Sequence, residues 1–147
     1  MATWREVERA VPDLAKAVRE RFAVRKHATL ATLRRDGSPR ISGTEVEFGK
    51  KDVVLGSMPG ALKARDLQRD PRLALHSPTD DPQPGTESAW AGEAKLAGTA
   101  VERKPRKDGA HLFAIDVTEV VLTRVEGNRL VIESWHPDRG YQRRDRN

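Results

Sequence analysis

Cysteine is absent from this 147-residue chain, which excludes disulfide scaffolds, thiolate zinc sites and cysteine nucleophiles together. No apolar run approaches the roughly 18 residues of a membrane-spanning helix, and no charged-then-apolar leader opens the chain. A cytoplasmic protein with no membrane partner is the expectation. The four histidines, His27, His76, His111 and His136, lie scattered without metal-ligand spacing, so no metal is expected. There is no Gly-x-Ser-x-Gly elbow to present a serine nucleophile. A Walker loop is missing too: Gly56 and Gly60 are wrongly spaced, and Ala64 follows Lys63 where Ser or Thr is required.

What remains is a polar chain, 33% charged and 37% hydrophobic, with enough apolar residues for one modest core. A chain of this length buries roughly 70% of its unfolded surface, so one domain folds without staples. Lysine and arginine number 27 against 22 acids, a net charge of +5. Arg139, Arg143, Arg144 and Arg146 against Asp145 supply +3 of this, leaving a nearly neutral body of interleaved charges. That pattern is a solvated surface, and nucleic acid is not an expected partner. The chain divides into a single domain over residues 1–138, with an N-terminal helix, and a basic flexible tail over residues 139–147.

The segment from Trp4 or Pro12 to Phe22 reads as one helix. Pro12 suits a first turn, Asp13 favours its positive end, and Leu14, Val18 and Phe22 share an apolar stripe. At His27 the period changes to two. His27–Arg34 is a strand, Asp36-Gly37 a hairpin turn, and Arg40–Phe48 the returning strand, with Ser42, Thr44, Val46 and Phe48 on one face. Val53–Ser57 is a short buried strand, Ala61–Asp70 a helix, and Arg72–Ser77 another strand. Residues 78–88 form a loop. From Ala89 the alternation is clean, with Trp90, Gly92, Ala94, Leu96, Gly98 and Ala100 on one face; such small residues let a strand bend. His111–Val125 is one strand bent at Asp116–Thr118, or two, and Leu130–Trp135 pairs back after the Glu126–Arg129 turn. Six or seven short antiparallel strands with two helices describe an all-β barrel or sandwich with peripheral helices.

The most informative segment runs from the strand end at Ser57 into the helix beginning near Gly60. Free amides at a helix start attract anions, and Lys63 and Arg65 stand where two cations reach a bound phosphate. The plainer reading is an exposed connecting helix with solvated charges. His76 beside Asp80 and Asp81 reads as a surface or half-buried histidine, Glu45 and Glu47 as solvated or at an interface, and Trp135 as a cap on the barrel. No residue announces acid–base or nucleophilic catalysis, so an enzyme of this composition would leave the chemistry to a cofactor.

The run His27-Ala-Thr-Leu-Ala-Thr-Leu-Arg-Arg-Asp-Gly-Ser-Pro39, followed by Gly56-Ser57 and Lys63-Ala-Arg-Asp-Leu-Gln-Arg-Asp-Pro71, resembles the pyridoxamine 5′-phosphate oxidase-like flavin-binding split-barrel family. The resemblance covers roughly residues 20–125. It implies a six-stranded antiparallel split barrel and an intertwined homodimer, with FMN or the deazaflavin F420 in a groove at the interface. Lys63 matches the lysine on the cofactor phosphate and Ser57 the strand-end position beside it. Arg40, Ile41 and Ser42 match residues that line the ring, and Trp90 is a candidate for the other side of the groove. The implied activity is hydride transfer to or from a small conjugated substrate. The alternatives are an F420-dependent reductase of the same fold, or a non-catalytic module holding flavin or haem. Three departures stand out. Ala61 replaces the Ser or Arg common two residues before the lysine. A short link, 103–110, replaces inserted helices and leaves an open pocket. The ending Gln142–Asn147 lacks the arginine-containing close of true pyridoxamine phosphate oxidases, so vitamin B6 oxidation is not expected.

Overall fold

The computed structural model describes residues 2–147. The period-two segments become strands β1 (His27–Leu33), β2 (Pro39–Phe48), β3 (Val53–Ser57), β4 (Arg72–His76), β5 (Glu93–Arg103), β6 (His111–Glu126), β7 (Arg129–His136) and β8 (Gly140–Arg146). All pair antiparallel in the order β3-β2-β1-β4-β5-β6-β7-β8, and a further pairing of β3 with β6 closes the first six into a barrel. The six-stranded split barrel expected from the sequence is therefore present, with the β7–β8 hairpin continuing the sheet beyond the closure.

Where one N-terminal helix was expected, there are two: α1 (Trp4–Ala10) and α2 (Pro12–Ala23). Pro12 cannot continue a preceding helix but suits the first turn of a new one, so the axis breaks at Val11. The expected stripe of α2 does face inward: Leu14, Val18 and Phe22 are buried with Leu30, Leu75, Leu96 and Val120 of the barrel. Phe48 at the end of β2 meets Trp4 edge-on at 4.9 Å and Phe22 at 5.4 Å, tying both helices to the wall.

β6 is one continuous strand, long enough to serve β3, β5 and β7 in turn. Its bend lies where the small-residue face predicts. The β5–β6 register shifts at Ala97/Gly98, and a Cβ on Gly98 would stand 2.2 Å from the Asp116 carbonyl oxygen. Only glycine allows that approach.

The tail is the main correction to the sequence reading. Where a loose tail is expected, residues 140–146 form β8, in register with β7 from His136↔Gly140 to Leu130↔Arg146. Of the four tail arginines, Arg143 is engaged within the sheet, beside further pairs on β6, β7 and β8. Arg124 binds Glu133 (2.9 Å) and Glu126 (2.8 Å), Arg143 binds Asp145 (2.9 Å), and Tyr141 donates to Glu133 (2.7 Å). Hydrogen bonding from Arg124 and the charge of Arg143 hold the Glu126 carboxyl below its ordinary range. No helix among the described residues is long and apolar enough to cross a membrane.

Candidate functional site

The barrel is not sealed everywhere. β2 pairs with β1 from Pro39 to Glu45, but with β3 only from Val46 to Phe48. One edge of β2 is thus unpaired opposite Gly56 and Ser57, and α3 (Leu62–Arg69) lies beside this split.

Lys63 crosses it. Its Nζ donates to the Gly43 carbonyl oxygen at 2.8 Å. Because backbone groups alternate sides along an antiparallel strand, this contact fixes the polarity of the edge. Ile41 and Gly43 turn their N–H and C=O toward the split, whereas Arg40 and Ser42 turn theirs to β1. Of the three second-strand residues expected to line a ring, Ile41 alone offers its backbone there.

Ser57 and Lys63 are brought together in one small pocket, with Thr44 from β2, Leu67 from α3 and Phe113 from β6. The Ser57 Oγ is buried and has no hydrogen-bond partner. An orphaned buried hydroxyl is costly and uncommon, so this one calls for an acceptor that the chain does not supply. The start of α3 adds donors. Ala61 at its N-cap has no side chain to bond the first turn, and no acidic residue lies there. The amides of Leu62 and Lys63 have no intrahelical acceptor at these positions. Gly60, at φ +74°, donates instead to His111 Nε2 at 3.0 Å. Cations at Lys63 and Arg65, open amides and an unpartnered hydroxyl make a donor set without a carboxylate, which fits a phosphate ester.

The Arg40 side chain is engaged within the chain. Its Nε binds the buried Asp66 carboxylate at 2.7 Å, where Thr32 donates at 2.8 Å and Arg69 at 3.0 Å. Burial pushes the Asp66 carboxyl up, but the hydrogen bonds from Arg40, Thr32 and Arg69 outweigh it and hold the group below its ordinary value. Arg69 also donates to the Leu33 carbonyl at 2.7 Å. This cluster locks α3 against β1 and β2 and so sets the position of Lys63.

Trp90 is not part of this place within one chain. It precedes Glu93, which pairs with Thr123, whereas Ser57 pairs with His111 at the opposite end of β6. Twelve residues of the curved β6 separate the two pairings, a contour of roughly 40 Å along the strand. Trp90 instead lines a recess with Glu87, Glu93 and Val125. His76 is held by Glu93 (2.9 Å) and the Ser77 carbonyl (2.7 Å), not by Asp80 or Asp81. Trp135 is buried in the hydrophobic core. No group of three or more metal-ligating side chains occurs among the described residues. Sequence reasoning missed Gly43, Asp66 and His111. The Asp66 of the Lys63–Pro71 run was visible as part of a motif, but nothing local marked it as buried.

Comparison with known proteins agrees with this architecture. The family described as pyridoxamine 5′-phosphate oxidase matches residues 14–124. No curated protein sequence matches the chain. Among solved structures, PhzG from Burkholderia lata 383, in complex with tetrahydrophenazine-1-carboxylic acid, superposes with a TM-score of 0.67 at 12% identity, covering 95% of this chain and 91% of that one. A pyridoxamine 5′-phosphate oxidase-related, FMN-binding protein from Nostoc punctiforme PCC 73102 gives 0.62 at 12% identity over 93% and 96%. A heme-binding protein from Mycobacterium smegmatis gives 0.57 at 20% identity over 83% and 58%. At such identities the likeness is one of fold. With the family match running from α2 into β6, through every strand of the closed barrel, the chain belongs to the pyridoxamine 5′-phosphate oxidase-like family of split barrels.

Proposed function

We propose that this chain is a homodimeric FMN-binding oxidoreductase that passes a hydride to or from a small conjugated substrate. The observation that carries the reading is the buried, unpartnered Ser57 Oγ beside Lys63 at the open start of α3. Ser57, Lys63 and the first amides of α3 would hold the phosphate, with Arg65 at the mouth. The N–H and C=O of Ile41 and the N–H of Gly43, left unpaired by β3, suit the alternating donors and acceptors on the edge of a flavin ring, while the Gly43 C=O accepts from Lys63. When bound, the flavin supplies the redox chemistry. The chain contributes binding, orientation and exclusion of water. The nearby titratable groups are already engaged: Asp66 accepts from three donors, and His111 Nε2 accepts from Gly60.

Dimerisation has its own support. Ile41, Met58 and Leu62 are 73%, 78% and 61% exposed, and all three flank the split. Exposed apolar residues gathered around a polar groove suit a surface that a second copy covers. A cofactor seated there would lie between the two chains.

The test is a visible spectrum of the purified protein followed by titration with FMN, F420 and haem. FMN should bind in the micromolar range with a perturbed flavin band. Lys63→Ala should weaken it roughly 10- to 100-fold through loss of a charge-assisted contact. Ser57→Ala should weaken FMN several-fold without lowering thermal stability, because the hydroxyl has no partner to lose. Equal FMN affinity in both variants and parent would discard the anchor. Binding of F420 or haem in place of FMN would move the assignment to a deazaflavin reductase or a non-catalytic carrier.

A further inference from the structure

We propose that His111 is a positioning residue for the anion site, acting through an unprotonated Nε2. The inference rests on the phosphate reading above and concerns how the chain holds the turn that forms the site. His111 opens β6 and pairs with Ser57 across the β3–β6 seam. Its Nε2 accepts the Gly60 N–H at 3.0 Å. Its ring stacks on Phe113 with the planes 16° apart, and Phe113 lines the pocket of Ser57 and Lys63.

A ring nitrogen that accepts an amide hydrogen carries no proton, so the imidazole is neutral with its hydrogen on Nδ1. The turn it holds has few other ties. Pro59 has no N–H, and the Ala61 amide closes back on the Met58 carbonyl within the turn itself. Among the described residues, the bond from Gly60 to His111 is the one hydrogen bond joining residues 58–61 to the barrel wall. With it, the turn that presents the free amides of Leu62 and Lys63 is fixed before any ligand arrives. Without it, binding must also order the turn, and affinity falls by that cost.

Two variants separate the acceptor from the ring. His111→Phe keeps an aromatic face on Phe113 but removes the acceptor; His111→Gln loses the ring but offers Oε1. FMN and inorganic phosphate are the probes, and a ¹⁵N–¹⁵N scalar coupling across the Gly60 N–H···Nε2 bond is the structural readout. The coupling should be present in the parent. His111→Phe should weaken FMN roughly three- to tenfold, and His111→Gln should restore affinity to within about twofold of the parent. Parent-like affinity in His111→Phe, or no coupling at Gly60 in the parent, overturns the assignment while leaving the phosphate site standing. A parent that binds neither FMN nor phosphate removes the site itself, and the positioning role with it.

Discussion

Replacing Asp66 by Asn should cost more than any other single polar change in this barrel. The Asp66 side chain is 3% exposed and gathers Arg40, Arg69 and Thr32, which join β2, α3 and β1. Asparagine keeps the shape but turns an NH₂ group toward one arginine and leaves the other charge without its counter-ion. Breaking a buried ion pair from one side costs about 3–5 kcal/mol. Arg40 and Arg69 retain 21% and 30% exposure, so water relieves part of that loss and the lower end, about 3 kcal/mol, applies. For a domain of this size the fall in Tm is roughly 6–12 °C. Urea titration and thermal melts followed by circular dichroism at pH 7 measure it. The pH dependence gives a second check. The folded-state pKa of Asp66 is lowered, so its contribution is complete above the unfolded value near 4 and is lost as the pH falls through the folded value. The gap between parent and Asp66→Asn should therefore close as the pH drops below about 4. Because the cluster seats α3, FMN affinity should fall as well. A variant within about 1 kcal/mol of the parent at pH 7, or a gap that persists unchanged to pH 3, would refute this account of the cluster.

Gly98→Ala forces a Cβ to 2.2 Å from the Asp116 carbonyl oxygen, backbone against backbone, and should destabilise by about 2–3 kcal/mol; a melt superimposable on the parent's would show that the bulge accommodates it. Truncation after Asp138 removes β8 and exposes the β7 edge, so light scattering should detect self-association. A dispensable tail would leave both the scattering and Tm unchanged. Asp70 is hydrogen-bonded by the Arg72 side chain and amide, which hold its carboxyl down to about 2. A carbon-detected NMR titration should place its midpoint well below the ordinary aspartate value, and a midpoint near 4 would mean that the Arg72 contact does not persist in solution.

Much of the fold was legible because its signals are local. Period-two runs marked β1, β2, β3, β4 and β7 nearly to their ends, and Pro71 stopped α3 where the structure stops it. Gly98 and the neighbouring small residues announced the bend between β5 and β6. The sequence misled where a local cue had a distant answer. Residues 139–147 read as a loose basic tail because Glu126 and Glu133, which take up Arg124, Arg143 and Tyr141, lie in other strands. The ion pair of Arg40 was not legible either, since nothing nearby reveals that Asp66 folds back to meet it.

The same division runs through the candidate site. Residue type and order alone determined a strand that ends in Ser57, a glycine-containing turn and a helix opening with Lys63, because strand period, proline punctuation and helix-start chemistry act within a few residues. Only the tertiary structure decided that Ser57 Oγ has no partner, that Lys63 reaches Gly43, that Trp90 lines a separate recess of the same chain and that His111 holds Gly60. Those facts depend on the register of β3 against β6 and on the gap between β2 and β3. Register is set by the whole barrel closing on α2 at once, and no short stretch of sequence contains it.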